Sequence, residues 1–214
     1  QDLGGNSSRV EHQLVSVRAI QASSGAFAAI KYDGSVVTWG YRIYGGDSSA
    51  VQENLIQVQE IQSTSHAFAA IMADGSVVCW GDRRIGGDCQ RVQEQLRHVT
   101  QLQSSSGAFA AIQSDGTVTA WGNSACGGDS SKIQDQLRHV CRIQSTERAF
   151  AAVRSDGSVV CWGMPEYGGE SSSVQAQLKH VREIHSTKYA FAALLEDGRV
   201  VTWGHTFYGG NSSK

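Results

Sequence analysis

The tryptophans Trp39, Trp80, Trp121, Trp162 and Trp203 stand 41 residues apart at every step, and nothing else in the chain limits its fold so severely. The Gly-Gly pairs beginning at Gly4, Gly45, Gly86, Gly127, Gly168 and Gly209 keep the same step. Self-similarity at such a period marks a propeller, a solenoid or a related array, in which each unit is one supersecondary module. No insertion or deletion breaks the register over five units. The chain reads as a single repeat domain, residues 1–214, with units ending near Gly40, Gly81, Gly122, Gly163 and Gly204.

Local rules order each unit. In the second copy, Val58–Ser63, Ala67–Met72 and Ser76–Trp80 are short strand-forming runs. Asp74-Gly75 separates the last two and recurs as Asp33-Gly34, Asp115-Gly116, Asp156-Gly157 and Asp197-Gly198. Asp-Gly between apolar runs is a strong hairpin signal and predicts a turn with both central residues at positive φ. The three strands form a meander. After each Gly-Gly, Asp47-Ser48-Ser49 or its copy offers capping oxygens. Val51, Leu55 and Val58 then follow at i, i+4 and i+7, one stripe of a short helix. It recurs as Val10/Leu14/Val17, Val92/Leu96/Val99, Ile133/Leu137/Val140 and Val174/Leu178/Val181, with Arg97-His98, Arg138-His139 or Lys179-His180 placed as helix-end cations. The expected fold is mainly β: five repeats, each a three-stranded antiparallel meander plus a short helix.

Phe27-Ala28-Ala29 and its copies alternate a ring with small side chains that let neighbouring sheets approach. Burying one tryptophan removes about 150–250 Å² from water, roughly 4–6 kcal/mol as an upper bound. One unit of this size cannot cover that surface, so its neighbours must.

The stretch "VQEIQSTSHAFAAIMADGSVVCWG", Val58 to Gly81, resembles the regulator-of-chromosome-condensation (RCC1) repeat: a strand, a small-residue turn, an alanine-rich strand, Asp-Gly, and a strand closing in Trp-Gly. The likeness covers all five units, in a short-blade form. It implies a β-propeller that acts through protein–protein contacts. Two arrangements are open: an RCC1-like ring of five blades, or an open solenoid or part of a longer array.

Composition narrows the partners. The net charge is −2, with 18 basic and 20 acidic side chains well mixed, which argues against a nucleic-acid surface. No apolar run approaches the ~20 residues of a transmembrane segment. The chain opens Gln1-Asp2-Leu3 without an initiator methionine, so it reads as a processed or excised form whose upstream targeting segment is not in view. Cys79, Cys89, Cys126, Cys141 and Cys161 show no metal spacing and read as small core residues, which fits a reducing intracellular compartment better than secretion.

Between Trp-Gly and Gly-Gly, four residues change in every copy. In a three-strand meander, the loops after the first and third strands leave from the same edge, opposite the Asp-Gly turn. The variable loops should therefore converge on one face. Its candidate partner-binding residues are Tyr41, Arg42, Tyr44, His66, Asp82, Arg83, Arg84, Glu147, Arg148, Met164, Glu166, Tyr167, Lys188, Tyr189, His205, Phe207 and Tyr208. Aromatic and arginine side chains are enriched at protein–protein hot spots.

No catalytic residue, cofactor or metal site is assigned. Asp47, Asp88, Asp129 and Glu170 recur beside glycines and read as helix caps rather than cation ligands. His98, His139 and His180 read as helix-end residues. Gln21, Gln62, Gln103 and Gln144, with His185 in the fifth slot, read as a hydrogen-bonded ladder. The Gly-Gly pairs lack a phosphate-loop lysine or a dinucleotide fingerprint. The expected function is a non-catalytic protein-interaction module, or a structural or accessory subunit of a larger complex. A lectin-like small-ligand propeller and a GTPase regulator are the alternatives.

Overall fold

The computed structural model describes residues 5–211; Gly4 of the first Gly-Gly pair and Ser212-Ser213 of the last Gly-Gly-Asn-Ser-Ser lie outside the described residues. Five three-stranded antiparallel sheets each take their strands in chain order. We call them blades one to five. In blade two the strands are Val58–Ser63, Ala67–Met72 and Val77–Gly81, so the first two have the expected bounds and the third starts one residue later.

The middle strand of blade two is buried along its whole length, because blades cover both of its faces. Side chains alternate across a strand. Phe68, Ala70 and Met72 face one way and pack with Ala26, Ala28, Ile30 and Val36 of blade one. Ala67, Ala69 and Ile71 face the other way and meet Leu96, Val99, Leu102, Phe109 and Trp121 of blade three. The core is thus a series of seams between blades. Alanine on one side of each seam admits the phenylalanine of the other.

The fixed residues follow from the seam. Trp80 stacks on Phe68 of its own blade at 5.2 Å and donates its indole Nε1–H to the Gly45 carbonyl of the preceding blade's linker at 3.0 Å. The bond recurs from Trp121 to Gly86, Trp162 to Gly127 and Trp203 to Gly168. Gly45 lies at φ 89°, and a Cβ there would sit 2.6 Å from the Phe68 ring. A Cβ on Gly46 would lie 2.5 Å from the Gly40 carbonyl carbon. Any side chain at either glycine would push the linker off the indole.

Backbone bonds also step across each seam. The Gly34 carbonyl accepts from Val58 N–H at 3.0 Å, and Gly75, Gly116 and Gly157 accept in the same way from Val99, Val140 and Val181. Ser63 Oγ donates to the Ala22 carbonyl at 2.7 Å, and Ser104, Ser145 and Ser186 each repeat this to the serine carbonyl 41 residues before. These serines form the inter-blade ladder expected of the glutamines. Gln62 instead donates to Glu60, Gln103 to Ser145 Oγ, and His185 pairs with Glu183.

Several local expectations are corrected. In the hairpins only the glycine takes positive φ (Gly34 80°, Gly75 78°). Lys31 N–H donates to the Ser35 carbonyl and Gly34 N–H to the Lys31 carbonyl, so the loop has three residues, a tight turn followed by a left-handed glycine. Asp33 Oδ1 takes the N–H and hydroxyl of Ser35 at 2.9 and 2.6 Å.

The linker is not an α-helix but 3₁₀ turns, the longest being Ser49–Asn54 and Ser131–Gln136. Side-chain tethers hold it to its own blade: Ser48 Oγ donates to Gln52 Oε1, and Gln52 Nε2 donates to the Val36 carbonyl at 3.0 Å. Val58 belongs to the strand. His98, His139 and His180 are not helix-end residues. With Ser16 and Gln57 they occupy left-handed backbone at φ 52–56° just before each first strand. Three of the acidic series cap from one position before the N-cap: Asp47, Asp88 and Asp129 accept from the first backbone N–H of the 3₁₀ turn at 2.9–3.0 Å, whereas Glu170 takes the Ser172 hydroxyl instead. Cys79 and Cys89 are joined by a disulfide rather than standing as separate core thiols. They replace Thr38 and Ser48, whose hydroxyls hydrogen-bond at 2.9 Å in blade one.

Candidate binding rim

The first loops of successive blades are linked by backbone. Ser24 N–H donates to the Ser65 carbonyl, Ser65 to Ser106, Ser106 to Glu147, and Glu147 to Lys188, at 2.9–3.0 Å. Within each blade the second loop closes onto the first, as Tyr41 N–H on Gly25 O, Asp82 on His66, Asn123 on Gly107, Met164 on Arg148 and His205 on Tyr189. Both loop sets therefore lie on one rim, with the Asp-Gly turns at the other end of the strands. All 17 candidate residues fall in these loops.

Three patches make up the rim. Tyr44 of blade one stacks on His66 of blade two at 4.2 Å, with Tyr41 5.6 Å from Tyr44. Blade two then presents charge. The Arg83 and Arg84 side chains are 76% and 86% exposed and pair with Asp88 at 3.0 Å and Asp82 at 2.9 Å. The Arg84 hydrogen bond holds the Asp82 carboxyl below its ordinary pKa. Across blades four and five lies an aromatic cluster. Tyr189 is 5.0 Å from Tyr167 and 4.6 Å from Tyr208, and His205 is 4.8 Å from Tyr208. Arg148 lies over the Tyr167 ring at 5.3 Å, and Lys188 lies over Tyr189 at 5.5 Å while pairing with Glu147 at 3.1 Å. That pairing raises the Lys188 pKa. Phe207 stands 88% exposed at its margin, near exposed Glu166 and half-buried Met164.

Arg42 reaches Asp47 at 3.5 Å, so Asp47 and Asp88 both cap a linker and hold a rim arginine, a second role their spacing concealed. Ile43, 55% exposed between Arg42 and Tyr44, is an apolar rim residue the sequence reading passed over. Its only signal was an isoleucine in an otherwise polar loop.

Clefts open on both rims. One of about 430 Å³ is lined by Arg83, Arg84, Arg91 and Trp121 beside the charged patch. Two others lie by the Asp-Gly turns, one of about 490 Å³ lined by Gln95, His98, Gln113 and Asp115, and another of about 360 Å³ by Gln177, His180 and Asp197. No described residues form a cluster of three or more metal-ligating side chains. No helix among them is long and apolar enough to cross a membrane.

Five three-stranded blades with these seams define an RCC1-like β-propeller fold. The chain superposes on yeast RCC1 (Prp20), solved bound to Kap60, with a TM-score of 0.62 and 18% identity over 91% of this chain and 57% of that one. It superposes on Prp20p of Saccharomyces cerevisiae, whose binding to Gsp1p and histones has been characterised, with a TM-score of 0.61, 19% identity, and 91% and 58% of the chains covered. The ectodomain of the Physcomitrella patens receptor kinase CR4 gives a TM-score of 0.56 at 17% identity over 88% and 50%. The chain thus spans just over half the length of the RCC1 structures it matches. No protein-family model and no curated protein matches its sequence.

Proposed function

We propose that the chain is a non-catalytic protein-interaction module, or an accessory subunit of a larger assembly, that binds another protein through the variable-loop rim. One observation carries this reading. Substitution between repeats is heaviest in the second loops, which the backbone brings together with the first loops on one rim of a frame whose seam residues are fixed by packing, although the positions before each Asp-Gly also vary. A rigid scaffold with variable loops is how binding surfaces are commonly built. The Tyr, Arg and His side chains suit a protein partner. Prp20, solved with Kap60 and characterised for Gsp1p binding, is a propeller of this fold that engages proteins, which supports the same reading and keeps GTPase regulation as its narrower form.

The test is affinity capture with three forms of the chain. Replacing Arg83, Arg84, Arg148 and Tyr189 together by alanine is expected to abolish capture. Replacing Tyr32, Asp115 and Glu196 on the Asp-Gly rim is expected to preserve it. Undiminished capture by the first form would remove the rim from the mechanism. A second reading rests on the recurring clefts beside His98 and His180: a lectin-like module would bind glycan through them, lose binding on Asp115→Ala and Asp197→Ala, and ignore the loop substitutions.

A further inference from the structure

Blades one and five carry the two halves of a single interface. In the seam between blades one and two, Ala26, Ala28, Ile30 and Val36 meet Leu55, Val58, Ile61, Phe68 and Trp80. The first half recurs on blade five as Ala190, Ala192, Leu194 and Val200 and is partly uncovered: Val36, Val77, Val118 and Val159 are at most 3% exposed, whereas Val200 is 54% exposed and Ala192 and Leu194 only half-buried. The second half recurs unpartnered on blade one: Ile61, Leu102, Ile143 and Ile184 are at most 5% exposed, whereas Ile20 is 58% exposed. A Cβ on Gly34, Gly75, Gly116 or Gly157 would strike the next blade's backbone at 2.7–2.9 Å, yet among the described residues nothing lies within 4 Å of one on Gly198. The Gly198 carbonyl and Val17 N–H, which repeat the Gly34–Val58 pair, make no such bond among the described residues.

We propose that the chain self-associates head to tail, the blade-five face of one copy docking on the blade-one face of a second copy in the register of the four internal seams. The occupant follows from continuity with those seams, since each terminal face is shaped for the other. Self-pairing of either face would set Ile20 against Ile20 or Val200 against Val200, combinations no internal seam contains. The contact is heterologous, so it extends or closes according to the rotation between copies. Gly5-Asn6 of one copy and Gly210-Asn211 of the other fall at the same repeat position, so one of these two segments yields where the copies meet. The surface is distinct from the variable rim.

Sedimentation of the 214-residue chain across a concentration series reads the result. The wild type is expected to form species of at least twice the monomer mass. Val200→Glu blocks the tail and Ile20→Glu blocks the head, so each variant alone is expected to stay monomeric. An equal mixture is expected to form a dimer and no larger species, because one intact head and one intact tail remain. A wild type that stays monomeric, single variants that still associate, or a mixture that fails to pair would overturn the proposal. Both positions are already exposed, and circular dichroism confirms folding; Ile20→Gln and Val200→Gln serve in place of any variant that does not fold.

Discussion

At the residue scale the fold rests on a few polar atoms that recur in every blade. Asp33, Asp74, Asp115 and Asp156 lie below the ordinary carboxylate pKa of 3.8 chiefly because the hydroxyl of the Ser or Thr two residues on donates to them. Asp197 lies below it through the Arg199 N–H and guanidinium. A depressed folded-state pKa stabilises the fold above the ordinary value, and that contribution disappears as pH falls through the depressed one. The melting temperature is therefore expected to drop as pH falls below 3.8, and replacing all five by asparagine, which keeps the Oδ1 acceptor, is expected to flatten that drop. An unchanged acid limb would reject the assignment. Cysteine chemistry is equally specific. Burial pushes the Cys161 thiol up to about 11, against a smaller lowering by hydrogen bonds with Ser171 and Trp203, although the residue keeps some surface, and Cys126 is buried. Exposed Cys141 alone is expected to react quickly with maleimide in the native chain, with Cys79 and Cys89 labelled only after reduction. Rapid labelling of Cys161 would contradict the packing.

At the scale of elements, the Asp-Gly hairpin joins blades as well as strands. Gly75 (φ 78°) and Gly198 (φ 86°) share one conformation, but a Cβ would meet His98 Cα at 2.8 Å in the first and nothing in the second. Gly198→Ala is expected to cost only the left-handed strain of about 1–2 kcal/mol. Gly75→Ala adds a steric clash with a neighbouring blade's backbone and is expected to cost clearly more in urea unfolding. Equal losses would mean that the seam does not depend on this approach. The strands of blade two could be read because apolar runs and Asp-Gly are local signals. The left-handed residue could not, since Ser16, Gln57 and His98 share no chemistry; what they share is a carbonyl that accepts from the N–H just after their own blade's middle strand, Tyr32, Ala73 and Ser114. The 3₁₀ linker looked α-helical because Val51, Leu55 and Val58 have the right spacing, yet Val58 is claimed by a strand and Gln52 by the Val36 carbonyl. The disulfide had a signal that went unused: only in blade two do cysteines fill both slots that Thr38 and Ser48 bridge by hydroxyls.

At the scale of the molecule, stability should behave as a sum over blades and seams, as in other repeat arrays. The location of the variable rim was legible, because meander geometry alone puts both loop sets on one edge. The stacking of Tyr44 on His66 and the contact of Tyr167 with Tyr189 were not, because they join residues of different blades. Blades two to five each bury their tryptophan against the blade before, so that the frame is fixed and the rim is free to vary. Hydrogen exchange at the indole Nε1–H groups tests this directly. Trp80, Trp121, Trp162 and Trp203, each bonded to a glycine carbonyl of the preceding linker, are expected to exchange only through opening of the seams, far more slowly than a free indole. Exchange of these four at the rate of a solvent-exposed indole, in a chain that remains folded, would contradict it.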